Sequence, residues 1–115
     1  MKYATLLSLV FLLAACSAKL YTPIQADVDR VMDKYPGYSL AELQEGKSIF
    51  EMNCGACHPL KKPTSRTPEQ WEKIVPRMVQ NVNRKAKKEL ISKEKQELVL
   101  KYLVARTRAG AAAKK

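Results

Sequence analysis

Residues 54 to 58 read Cys54-Gly55-Ala56-Cys57-His58, and His58 is the only histidine in the 115-residue chain. Two thiols and an imidazole this close together restrict the chemistry sharply. In an exported protein a nearby cysteine pair reads as a disulfide. A thioredoxin-like redox pair has the same spacing but belongs to a βαβ unit, and no strand pattern flanks this one. A structural zinc site needs four ligands, and the sequence offers three with no second Cys/His pair. If the stretch is helical, Cys54 and Cys57 are i, i+3 neighbours, His58 follows at i+4, and all three share one face.

That face suits a fourth chemistry, because Cys-x-x-Cys-His is the attachment signature of c-type haem. The two thiols can form thioethers to the two vinyl groups while the imidazole reaches iron from the same side. Cys54, Cys57 and His58 are therefore the expected cofactor-binding residues, with one covalent haem c as cofactor and His58 as an iron ligand. The chain is 46% apolar and 28% charged, which fits one small globular domain and excludes a polytopic membrane protein or a large multidomain enzyme. A core this small buries only about two-thirds of the unfolded surface. A large apolar macrocycle would supply a shared surface for the helices.

The N-terminus reads as an export signal. Lys2 precedes an almost unbroken apolar run from Ala4 to Ala15, too short for a stable span. Leu13-Ala14-Ala15-Cys16 resembles a bacterial lipobox, in which lipid is added to the Cys16 sulfur and residues 1–15 are removed. A plain signal peptide with an incidental cysteine is the alternative. Two or three acyl chains on Cys16 would anchor the protein stably, since one chain binds only marginally. The expected location is the periplasmic side of a bacterial membrane, inner or outer. The formal net charge is +10. Export argues against nucleic acid as the partner of this basicity, leaving acidic protein surfaces or anionic lipid.

Residues 16–22 form a short tether, and 23–105 the expected domain. Thr22-Pro23-Ile24-Gln25 reads as a helix start, with a capping residue, proline at N1 and glutamine at N3. Ile24, Val28, Val31 and Met32 form its apolar stripe, and Pro36-Gly37 stops it, giving a helix about 20 Å long. Ser39-Leu40-Ala41-Glu42 is a second capping box, opening a helix with Leu40, Leu43, Ile49 and Phe50 that leads into the cysteine motif. Thr67, with Gln70 at N3, caps a third helix, whose Trp71, Ile74, Val75, Met78, Val79 and Val82 make one stripe. Pro76 predicts a kink or break just before Met78. Ser92 caps a last helix burying Leu98, Tyr102 and Leu103, and residues 106–115 read as a flexible basic tail. With no strand pattern, the fold class is all-α.

Gly46, Phe50, Cys54, Cys57 and His58 together resemble the N-terminal half of a class I cytochrome c. Pro36-Gly37, Leu40, Pro59, Pro63, Thr67-Pro68, Trp71, Met78 and Tyr102-Leu103 extend the likeness, over residues 23–105, to the short exported bacterial monohaem cytochromes. The resemblance implies a small helical domain wrapped around one haem. It implies that Gly46 lets the first and last core helices cross, with Phe50 and Tyr102 at the crossing. It also implies that a carbonyl of the proline loop, Pro63 being the candidate, fixes the His58 ring. The function implied is one-electron transfer between redox proteins by a monomer that is not itself an enzyme. A haem subunit of an oxidase or dehydrogenase complex is an alternative, as is a haem sensor or peroxidase with a labile sixth ligand.

No second histidine exists to fill the sixth iron position. Met1 is lost with the signal, Met52 sits too near Cys54 to reach the opposite haem face, and Met32 precedes the core. Met78 is the expected ligand by elimination, although the family's axial methionine usually lies farther along, in a loop before the last helix. The alternatives are a core methionine at 78 with lysine ligation or an open site. Lys61, Lys62, Arg66, Lys73, Arg77, Arg84, Lys85, Lys87 and Lys88 read either as a basic rim that steers acidic redox partners or as ordinary solvated helix faces.

Overall fold

The computed structural model describes residues 21–55 and 57–113. Its elements are α1 (Gln25–Asp29), α2 (Leu40–Cys54), a 3-10 turn at Pro63–Ser65, α3 (Pro68–Ala86) and α4 (Lys93–Ala113). Among the described residues there is no strand, so the fold is all-α, and no helix is long and apolar enough to cross a membrane. The signal segment 1–15, Cys16 and the tether as far as residue 20 lie outside the described residues.

Side-chain caps fix three helix starts where the sequence placed them. Ser39 Oγ accepts from Glu42 N at 3.1 Å while Glu42 Oε2 accepts from Ser39 N at 2.9 Å. Thr67 and Gln70 exchange the same pair of bonds ahead of α3, and Ser92 Oγ accepts from Lys95 N at 3.3 Å ahead of α4. Each satisfies backbone donors that the first helical turn leaves free. The N-terminal helix departs from expectation. It begins at Gln25, after Thr22 and Pro23, because Asp27 is the residue that reaches back, its Oδ2 accepting from Ile24 N at 3.0 Å. It is also only five residues long. Tight turns follow as far as Tyr35, so among the described residues there is no 20 Å spacer helix ahead of α2. Val28 and Val31 are buried as expected, whereas Ile24 and Met32 are exposed.

Pro76 does not break α3, which runs unbroken from Pro68 to Ala86. Both Pro76 and Glu72, whose carbonyl loses its helical donor, lie on the exposed side. Water can satisfy that carbonyl, so the interruption is tolerated.

Helix α4 is the hub of the core, packing most extensively on α2, then on α3 and the 3-10 turn. It crosses α2 at Gly46, where a Cβ would lie 2.2 Å from Leu98 O and 3.0 Å from Tyr102 Cβ. The Phe50 and Tyr102 rings meet beside this crossing with centroids 5.8 Å apart. Trp71 Nε1 donates to Pro63 O at 2.8 Å, and Thr107 Oγ1 lies 2.8 Å from the same carbonyl. Those bonds tie the turn to both α3 and α4.

The segment from 106 onward, expected as a loose tail, continues α4 to Ala113. Asp27 is buried, and its Oδ1 accepts from Arg30 and Arg106, each at 2.8 Å. Arg108 pairs with Asp33 at 2.8 Å, and Ala109 is buried. The carboxylates of the N-terminal segment supply these partners, and the sequence pattern gave no sign of them.

Candidate cofactor site

Helix α2 ends at Cys54, and Gly55 caps it with φ −77° and ψ −9°. Cys57 and His58 lie beyond the helix in a turn, so the three motif side chains do not share one helical face as the spacing suggested. They meet across a hollow instead. One part, about 160 Å³, is walled by Phe50, Cys54, His58, Leu60, Trp71, Ile74 and Met78, with Lys61 and Arg66 at its edge. The adjoining part, about 350 Å³, shares Cys54, His58 and Met78 and adds Asn53, Cys57, Asn81, Val82, Arg84 and Lys85. Together the two fall in the size range of small-molecule and cofactor sites, which are concave and mostly apolar.

The stripe on α3 divides between two duties. Trp71, Val75 and Val79, spaced i, i+4, i+8, are buried in the core. Ile74, Met78 and Val82, spaced the same way, are partly buried, and all three face the hollow. Met78 therefore lies where both parts of the hollow meet. Met52 is exposed, Met32 is 38% exposed, and neither lines the hollow.

His58 Nδ1 is 2.9 Å from Pro59 O. A carbonyl only accepts, so Nδ1 carries a proton, and in the neutral ring the lone pair is then on Nε2. This is the arrangement that orients a metal-binding imidazole through its second nitrogen. The carbonyl is that of Pro59, however. Pro63 O, the expected partner, is taken by Trp71 and Thr107.

Cys54 and Cys57 are not bonded to each other. Cys54 is buried, Cys57 is exposed, and Lys85 Nζ lies 3.4 Å from Cys57 Sγ. Burial, with a smaller contribution from Cys57, pushes the Cys54 thiol up to about 11. Its position at the C-terminal end of α2 disfavours a thiolate further. Cys54 is thus protonated near neutrality and a poor attacking thiol.

No three of the described His, Cys, Asp and Glu side chains converge on a point where one bare ion would sit. The sulfur and nitrogen donors are spread over the walls of an apolar hollow. That distribution suits an extended flat group gripped at several edges, and the residues present fit a covalently held haem. Of the basic residues singled out in the sequence, Lys61, Arg66, Arg84 and Lys85 line the hollow, while Lys62, Lys73, Arg77, Lys87 and Lys88 do not. No carboxylate lines it among the described residues.

Sequence reasoning missed the roles of the Pro59 carbonyl and Leu60, and it did not place Lys85 beside Cys57. The Lys85 position was legible in principle, since Met78, Asn81, Val82 and Lys85 are spaced i, i+3, i+4, i+7 on one face of α3. Compared with known proteins, the chain matches no family model, and no curated protein or solved structure matches it significantly.

Proposed function

We propose that the chain is an exported, membrane-anchored c-type cytochrome with one covalent haem that carries single electrons between redox proteins. The observation that carries this reading is the meeting of Cys54, Cys57, His58 and Met78 on one apolar-walled hollow, with the His58 ring already oriented by Pro59 O. When bound, the haem iron supplies reversible one-electron chemistry. The chain supplies everything around it. Cys54 and Cys57 hold the group through their sulfurs, from the end of α2 and from the turn after it. His58 would offer Nε2 to the iron. Met78 offers a thioether, a soft donor suited to reduced iron that favours a raised potential relative to two nitrogen donors. Phe50, Leu60, Trp71, Ile74 and Val82 give the site its apolar walls.

The absence of a second histidine anywhere in the chain, and of any lining carboxylate among the described residues, removes the acid–base pair a peroxidase would use. The carrier reading is favoured for that reason. Membrane anchoring through Cys16 rests on the lipobox-like sequence alone. One experiment tests both parts: the full-length protein is exported from a bacterial host able to mature c-type cofactors, then assayed as its pyridine haemochrome and by intact mass. The expected result is one haem per chain and an acylated N-terminus beginning at Cys16. Colourless protein with both motif thiols titratable overturns the haem reading, and rapid carbon monoxide binding to the reduced protein overturns closed His58/Met78 ligation.

A further inference from the structure

We infer that the end of the molecule where residues 21–35 are clasped to α4 is the face turned to the lipid bilayer, held there by the short link to the N-terminal anchor. The inference rests on the proposed lipid on Cys16 and adds which face of the domain that anchor presents to the membrane. Helices α3 and α4 form an antiparallel hairpin. At its closed end the Asn83 amide bonds Ile91 N and Ile91 O, each at 2.9 Å. At its open end Thr107 of α4 sits beside the turn that leads into α3, its Oγ1 2.8 Å from Pro63 O. The length of α3, about 28 Å, separates the two ends.

Charge, stacking and burial together fasten the N-terminal segment to the open end. Asp27 is 1% exposed; its Oδ1 accepts from Arg106 of α4 and from Arg30, each at 2.8 Å. The Arg106 guanidinium lies 3.8 Å from the centre of the Tyr21 ring. Arg108 donates to Asp33 Oδ1 at 2.8 Å and to Arg30 O at 3.2 Å. Lys34 pairs with Glu72 near the start of α3, and Val28 and Val31 are fully buried. A carboxylate this buried is costly to leave without its guanidinium partners, so the clasp holds the segment in one place.

Tyr21 follows Cys16 by five positions. Its Cα therefore lies within about 18 Å of the Cys16 Cα. Acyl chains on Cys16 fix that point at the lipid surface. Arg106 stands about 20 Å along α4 from Lys93, more than the link spans. The closed end thus cannot rest on the lipid with Tyr21 above it, and the open end is the near one. The hollow follows α3 from Trp71 to Lys85, so its Cys57–Lys85 end is the one held away from the bilayer.

The test binds the full-length protein, exported and processed by a bacterial host, to phosphatidylcholine bicelles carrying a gadolinium-chelating lipid. Backbone amide intensities are compared with and without the metal. Uncharged lipid separates the effect of the link from attraction by basic residues. Expected is loss of intensity at residues 26–33, 64–67 and 106–112, with residues 84–91 retained. Asp27→Asn/Arg106→Gln removes both charges of the clasp together and should even out the loss along the chain at unchanged helical content. Insertion of about ten Gly and Ser residues after Ala18 should do the same with the clasp intact. Equal loss at both ends of the unaltered protein, loss centred on 84–91, or a gradient that survives either change would overturn the inference. Intact mass separates it from the reading it rests on. Unacylated protein that stays off the bicelles defeats the anchor and the inference with it, whereas acylated protein with a flat profile defeats the inference alone.

Discussion

Truncating Met78 separates a ligand from a packing residue, because its side chain lines both parts of the hollow while the core stripe of α3 runs through Trp71, Val75 and Val79. Met78→Ala should therefore leave the helical content intact. It should abolish the far-red methionine-to-iron absorption band of the oxidised protein and lower the potential. Absorption spectroscopy and redox titration check this, and an unchanged band with an unchanged potential sinks the assignment. At this scale the sequence was legible where side chains make the site: Cys54, Cys57 and His58, singled out by type and spacing, and Met78, singled out by elimination, all line the hollow. It was illegible wherever the backbone does. The His58 ring bonds the Pro59 carbonyl and not that of Pro63, because Trp71 Nε1 occupies the latter. Every residue carries a carbonyl, so only the path of the turn decides which one the ring meets.

Between elements, the tightest constraint is the α2–α4 crossing. A Cβ on Gly46 would overlap the Leu98 carbonyl at 2.2 Å, and both partners are backbone or buried side chain. Gly46→Ala must push the helices apart and should destabilise the protein by about 3 kcal/mol. A denaturant midpoint unchanged from wild type would show that the helices do not pack this closely. Tyr102, at the same crossing, gives a pH signature. Burial holds its phenol up to about 12, against 10 for the ordinary group. The folded state thus keeps its proton longer than the unfolded state. Stability is full below pH 10 and is lost as pH rises from about 10 to 12, by about 2 kcal/mol. Tyr102→Phe should make that alkaline limb shallower in urea titrations across pH, and the buried Tyr38 phenol, which burial also raises, supplies the remainder. An equally steep limb would show that Tyr102 does not contribute to it. The sequence marked helix starts reliably at Ser39, Thr67 and Ser92, where a hydroxyl side chain and its partner are local. At the N-terminus the capping pattern of Thr22 and Gln25 lost to Asp27. That carboxylate is anchored by Arg106, seventy-nine positions away, a contact beyond any local pattern.

For the molecule as a whole, α4 gives α2, α3 and the 3-10 turn a shared surface to pack on. Leu43, Phe50, Val99, Tyr102 and Leu103 are buried along the α2–α4 side, and Trp71, Val75 and Val79 carry α3. Yet α2 and α3 touch each other only sparingly, and residues from both line the hollow between them. An unfilled hollow leaves the Ile74, Met78 and Val82 face without partner atoms and forfeits their dispersion contacts. Local openings then become easier on that face than in the α2–α4 core. The prediction is spatially graded. In a Cys54→Ser/Cys57→Ser protein that carries no attached haem, amides across residues 74–82 should exchange with deuterium about tenfold faster or more, relative to the haem-bearing protein. Amides at 43–50 and 99–105 should keep most of their protection. Uniform loss along the chain would mean that the cofactor organises the entire core, and uniform retention would mean that nothing bridges α2 and α3 through the hollow. Either outcome defeats the claim that this fold stands on α4 and uses the bound group to fasten α3 to α2.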